Sequence, residues 1–431
     1  MKKWITKLTA AVLTVGLLAS CGGGTTNTTA KPVDGTTTQS GTSDVKLTVS
    51  IWDENQRAGL QQIVDDFTAK TGIEADIQVV TWENYWTTLS AGASGGELPD
   101  VFWMHSNEAQ KYMQNAMLLD LTDRIAASDV VDMTKYPEDI SVLYNEGGKQ
   151  FAIPKDIDTI AIWYNKALFD KAGVAYPDDT WEWTDFYENA KKLHDPDNGV
   201  YGVALAPDNN QAGYYNTIYS YGGYVINDDK TKSGYDDPKT VEAMELYAKI
   251  VTECNPPIEV LTENKEDGLF TAGKAAMILQ GSWMLAAYLG NDYTLENADI
   301  APLPKVGDKR VSIYNGLGWV AAANTEYPEE AWKLIEYFGS KEAQEKQAQL
   351  GVTMSAYEGT SEAWAKSTDV FNLDAYLQMM DDMVIRPYSR NTIVWENRSH
   401  EYMKEVWMGD KDMKTALTEL AAEMNTMLAD E

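Results

Sequence analysis

Three observations predict an α/β chain with more than one lobe. Apolar positions switch between period 2 and period 3.6 in strand–helix–strand order, glycine and proline occur at ordinary globular frequency, and the chain is 431 residues long. A single hydrophobic core stops growing at roughly 250–300 residues, so two lobes are expected. Leu47, Val49 and Ile51 alternate with polar residues, Leu60, Ile63, Val64 and Phe67 recur at helical spacing, and Ile73, Ala75, Ile77 and Val79 alternate again. That βαβ order implies a parallel sheet with helices on its faces. Further strands are expected at 100–103, 159–164, 200–205, 275–279 and 318–322. Helical stripes follow at Val241, Met244, Ala248 and Val251, at Trp332, Ile335 and Phe338, and at Leu417, Leu420, Ala421, Met424 and Leu428.

The charge narrows the function. With 35 Lys plus Arg against 66 Asp plus Glu, the net charge is −31, which excludes a protein that holds nucleic acid through cations on phosphates. Fourteen Trp and 24 Tyr against 8 Phe favour the aromatics that carry a polar handle, as a recognition surface does, although more than half must fill cores. Lys2, Lys3 and Lys7 precede an apolar run over 8–18, so residues 1–20 read as a signal peptide. Its end, Leu18-Ala19-Ser20-Cys21, resembles the bacterial lipobox, which implies cleavage before Cys21 and acylation of its thiol, palmitate included. Residues 21–44 are then a lipidated cysteine and a Gly, Thr and Ser linker, and the folded part is held at the outer face of the cytoplasmic membrane. The other cysteine, Cys254, reads as a small buried apolar residue.

Four stretches, LPDVFWM (98–104), AIPKDIDTIAIWYNKALFDKAGV (152–174), LFTAGKAAMILQGSWM (269–284) and IYNGLGWVAAANTEYPEEAWKLIEYF (313–338), stand in a telling order. Together they resemble the sugar-binding group of ABC-transporter extracellular solute-binding proteins, the maltodextrin-binding-like family. The resemblance covers about 45–431 and implies two discontinuous lobes, an N-lobe of 45–155 plus 311–357 and a C-lobe of 156–310 plus 358–431. It also implies hinges near 154–159, 304–312 and 351–359, with ligand in the cleft at the carboxyl ends of the strands.

A neutral sugar offers hydroxyls to polar groups and a ring face to an aromatic plane. Trp52 and Asp53 sit where the first strand runs out, and Trp103, His105 and Asn107 at the end of the third. By the resemblance, Asp158 matches the sugar-contacting acid, Trp283 the stacking aromatic and Trp395 the late aromatic, with Arg398 nearby as a donor. Asn210 and Tyr214 lie where the C-lobe supplies further contacts. Other roles stay open: Trp52, Trp283 and Trp319 suit a core equally, Asp158 a turn cap, and Arg398 an ion pair on a solvated face. The His-Ser-Asn after Trp103 departs from the Asp-Arg pair of maltodextrin binders, which weakens maltose as the ligand.

Enzyme signatures are wanting. His105, His194 and His400 form no HExxH, and Gly268 to Lys274 has Walker A spacing but Ala275 in place of the Ser or Thr, with the strand after it. The run Asp195-Pro196-Asp197-Asn198-Gly199 reads as an Asx-rich turn and lacks the distant Glu of a calcium loop. The expectation is a non-enzyme without cofactor or metal: a monomeric lipoprotein that binds an oligosaccharide and delivers it to ABC permease subunits by hinge closure. A tethered glycoside hydrolase and a binder of polyamines are the rival readings.

Overall fold

The computed structural model describes residues 45–431. The signal peptide, Cys21 and the linker lie outside the described residues. The first sheet runs in the order Glu74–Val79, Lys46–Ile51, Val101–Met104, Gly318–Ala321, Ile153–Pro154. Its first three strands are parallel, as the βαβ order requires. The late strand Gly318–Ala321 enters between two early ones and is antiparallel to both, so the sheet is mixed. The second sheet runs Ala298–Ala301, Ile160–Asn165, Ala275–Gly281, Tyr201–Val203. Ile160–Asn165 and Ala275–Gly281 are buried at every position, the pattern of strands covered on both faces, which is why they read as apolar runs rather than alternations.

The helices follow the expected stripes. Leu60, Ile63, Val64 and Phe67 form the buried face of Glu54–Thr71, whose N-cap is Asp53 and whose C-cap is the left-handed Gly72. Pro328–Phe338 and Met413–Ala429 likewise bury the periodic residues, whereas Pro238–Cys254 buries Met244 and Val251 but leaves Val241 and Ala248 partly exposed, its covered face turned towards Ala243, Tyr247 and Ile250. A further helix spans Thr392–Trp407. Trp319 is core, stacked on Phe338 with ring centroids 4.1 Å apart. Asp195 accepts from Asn198 Nδ2 at 2.8 Å and bridges to Val200, the polar turn expected before the strand Tyr201–Val203.

Three stretches carry the chain between the sheets, and they run beside one another. The Lys155 amide donates to Leu317 O (2.7 Å), Ile157 to Met354 O (2.8 Å), and Asp158 and Asn315 exchange backbone bonds at 2.9 Å. Gly316 is needed at this crossing, because a Cβ there would lie 2.3 Å from Asp156 O. Strand Ser312–Tyr314 pairs with Met383–Ile385 and is tied to the second sheet, since Ser312 Oγ accepts from the Ile160 amide at 3.0 Å. The late crossing therefore falls at 315–317, just beyond the segment expected at 304–312.

Candidate functional site

The carboxyl ends of the first sheet carry an aromatic wall. Trp52 follows Lys46–Ile51 and is ringed edge-on by Tyr85 (5.0 Å), Trp82 (5.2 Å) and Trp103 (4.9 Å), with Trp86 tilted at 6.0 Å. Trp82 is 43% exposed, so this wall opens to solvent through it. Trp103 itself is sealed, with the buried Lys155 ammonium 4.5 Å over its ring. Lys155 also donates to Asp156 (2.6 Å) and Gln56 (3.0 Å), a buried cation held by a carboxylate, an amide and a ring face.

Next to the wall, a polar cluster joins side chains from both sheets. His105 caps the helix Ser106–Gln114, its Nδ1 accepting from the Asn107 amide at 3.3 Å. Its Nε2 faces Asn315 Nδ2 (3.3 Å) and an Arg386 amino group (3.4 Å). Burial, and then the neighbouring Arg386 cation, push the His105 imidazole down to about 3, so it is neutral at physiological pH. Arg386 forms a bidentate pair with the fully buried Glu396, Nε to Oε1 at 3.1 Å and an amino group to Oε2 at 3.0 Å. Glu396 also accepts from Asn107 Nδ2 (3.2 Å) and Asn210 Nδ2 (3.1 Å). Gln211 donates to Asp158 at 2.6 Å, and burial, reinforced by Asp156, raises the Asp158 carboxyl to about 7.

The facing loop and helix add acids. Asn209 Nδ2 donates to Glu266 (3.2 Å), while Gln280 (2.8 Å) and Tyr288 (2.6 Å) donate to Asp267. Burial and the neighbouring Asp267 raise Glu266 to about 7. Lys265, just before them, breaks the helix Ile258–Thr271 with φ 55° and forms an ion pair with Glu83 of the aromatic helix Trp82–Gly95. The two faces therefore meet at Lys265 and Glu83 on the outside and at the Arg386 cluster within.

Of the residues expected at the site, Trp52, Trp103, His105, Asn107, Asp158 and Asn210 are gathered here. Asp53 borders the wall, its carboxylate taken by the Asn55 amide (2.9 Å) and Gln56 Nε2 (3.0 Å). Trp283 is half-buried beside the end of Ala275–Gly281, its ring filling the place of a Gly281 side chain. Tyr214 and Trp395 expose no ring surface: Tyr214 OH meets Ser399 Oγ at 3.0 Å, and Trp395 Nε1 donates to Ser389 Oγ at 2.9 Å. Arg398 points away from the cluster, held by Glu423 (2.6 and 3.0 Å) and paired with Glu401, the ion pair that its charged surroundings allowed. Sequence reasoning missed Trp82, Lys155, Gln211, Glu266, Arg386 and Glu396. Glu396 carried a signal, since it shares the apolar stripe of Thr392, Trp395, Ser399 and Met403, where an acid needs a buried cation.

The family model described as bacterial extracellular solute-binding protein matches residues 52–345, most of the chain. The chain belongs to that family. This solute-binding protein is 26% identical over 422 residues to a maltodextrin-binding protein of Bacillus subtilis, covering 96% of this chain and 92% of the relative. A Listeria monocytogenes ABC substrate-binding protein in complex with cycloalternan superposes with a TM-score of 0.83 at 23% identity, over 90% of this chain and 100% of the other. Maltose-bound MalE3 of T. maritima gives 0.74 at 19% identity, over 89% and 100%. The two-sheet architecture with several crossings is thus the two-lobe fold of these proteins. Among the described residues no helix is long and apolar enough to cross a membrane.

Proposed function

We propose that this protein captures an oligosaccharide outside the cell and passes it to the permease subunits of an ABC importer. The observation that carries the reading is the aromatic wall of Trp52, Trp82 and Trp86 set against hydrogen-bonding groups from both sheets. Aromatic faces cover sugar rings, and amides, carboxylates and a neutral imidazole serve hydroxyls. The maltodextrin-binding relative and the cycloalternan-bound neighbour support this ligand class. The proposed contacts are Trp52, Asp53, His105, Asn107, Asp158, Asn210 and Trp283, joined by Trp82 and Glu266; Trp103, expected among them, is fully buried and backs the wall instead. The lobes are taken as 45–155 with 315–357 and 156–314 with 358–431, closing about the crossing strands. A ligand shifts that equilibrium only by its differential affinity for the shut form, so it must touch both lobes. Acylation at Cys21 would hold the monomer at the cell surface.

Titration calorimetry with maltodextrins, cyclic glucans, chitin oligosaccharides and galacto-oligosaccharides tests the reading. Saturable heat with one of these, and unchanged sugar on chromatography afterwards, supports a transport receptor; a shortened product would make it a hydrolase. Response to spermidine alone would overturn the carbohydrate assignment. The acids Asp53, Asp208, Glu266 and Asp267 favour that second reading only if affinity falls steeply between about 0.01 and 1 M salt, as the Debye length shrinks from about 30 to 3 Å.

A further inference from the structure

Arg386 has five N–H donors, and protein oxygens take four of them; the fifth lies against His105 Nε2, which carries the imidazole proton because Nδ1 accepts from the Asn107 amide. Nε reaches Glu396 Oε1 (3.1 Å), one amino group reaches Gln211 Oε1 (3.0 Å) and faces His105 Nε2 (3.4 Å), and the other reaches Asn210 Oδ1 (2.9 Å) and Glu396. A guanidinium so occupied is fixed by its protein neighbours. What it does is turn its neighbours: with both amide oxygens facing Arg386, the Asn210 NH₂ must point to Glu396 and the Gln211 NH₂ to Asp158. Asn210, Gln211, Arg386 and Glu396 belong to segments beside the second sheet. Asp158 lies in the crossing, and His105 and Asn107 start the helix that follows Val101–Met104 of the first sheet. Asn107 Nδ2 to Glu396 Oε2 at 3.2 Å spans the two bodies within this buried cluster, while Lys265 with Glu83 and Arg390 with Glu146 (2.9 Å) span them at the exposed rim.

We infer that Arg386 and Glu396 are a positioning pair that couples the two lobes, with Glu396 receiving Asn107 only when the cleft is shut. The inference rests on the solute-binding reading and adds to it how closure is held. A carboxylate acceptor strengthens the Asn107 bond relative to a neutral one, and the guanidinium holds the Glu396 side chain oriented for it. Part of the free energy of closing is then supplied by the protein, and a ligand has less to provide. Lysine could not replace Arg386, because a point charge with three donors cannot hold two amide oxygens and a carboxylate in one plane.

The test is Asn107→Asp in the purified full chain. A carboxylate near the start of Ser106–Gln114 suits the helix N-terminus, so folding is preserved, yet at neutral pH it opposes the Glu396 carboxylate. Small-angle scattering should show the variant shifted towards larger radius of gyration at pH 7, and its affinity for maltotetraose should fall about tenfold or more. At pH 4 the new carboxyl gains a proton, donates to Glu396 and restores both, a recovery the parent does not show. Arg386→Lys should loosen closure at both pH values. Unchanged scattering at pH 7, or a loss equal at pH 4 and pH 7, overturns the coupling. If maltotetraose and other oligosaccharides fail to bind the parent but the scattering of Asn107→Asp still responds to pH as described, the carbohydrate reading falls and the coupling stands.

Discussion

His105 and Asp158 are both buried in the polar cluster, and their proton affinities are displaced in opposite directions, from 6.5 down to about 3 and from 3.8 up to about 7. Consider the window between pH 6.5 and pH 4. The unfolded chain carries a proton on His105 and none on Asp158; the folded protein carries one on Asp158 and none on His105. The bound-proton count is equal, so this pair gives stability no slope with pH. Asp158→Asn removes one side of the balance. His105, whose folded affinity is depressed, contributes stability above pH 6.5 that is lost as pH falls towards about 3, at about 1.4 kcal/mol per pH unit. The variant should therefore lose about 3 kcal/mol more than the parent between pH 6.5 and pH 4. It should gain above pH 7, where the parent must ionise a buried carboxyl. His105→Gln should do the reverse: Asp158 alone, with its raised folded affinity, gives stability that is full at low pH and drains as pH rises towards 7. Urea denaturation at half-unit pH steps measures the difference, since groups remote from Asp158 cancel between parent and variant. Parallel curves for parent and Asp158→Asn would refute the reasoning.

Trp283→Ala should weaken oligosaccharide binding by about 1–3 kcal/mol while lowering stability less than loss of a fully buried Trp would, because the ring is only half-buried; calorimetry and a thermal melt decide it. Gly202→Ala should destabilise severely, by several kcal/mol in chemical denaturation, because its Cβ would lie 2.0 Å from Ala190 O. Cys254 is fully buried with its thiol pushed up to about 12 by desolvation, so a thiol reagent at pH 8 should label the described fold at that residue only after denaturant is added.

Much of the fold was legible in the chain. Leu47, Val49 and Ile51 alternate because one face of their strand is fully buried while Lys46 and Thr48 lie on the less covered face, and Leu60 to Phe67 repeat because one helix face is covered. The insertion of Gly318–Ala321 between Val101–Met104 and Ile153–Pro154 could not be read from periodicity, which carries no information about which strands pair across two hundred residues. The site was half legible. Trp52 and His105 were found because a strand end marks them, and Asp158 because a motif does. Arg386 and Glu396 were missed because their importance lies in a pairing made only in three dimensions. Trp395 and Arg398, picked by position in the chain, lie on the helix Thr392–Trp407 but face its core and its charged neighbours.

The late return of Gly318–Ala321 has a consequence for how the molecule is made. The first sheet lacks its fourth strand until residue 321 has emerged, so a nascent chain of three hundred residues holds Val101–Met104 and Ile153–Pro154 with nothing between them. Contacts of such sequence separation raise the contact order and slow folding. For a chain threaded outward through a membrane channel that delay is useful: the leading half cannot lock into a native body behind the channel, and it stays extended enough to pass until its partner strand follows.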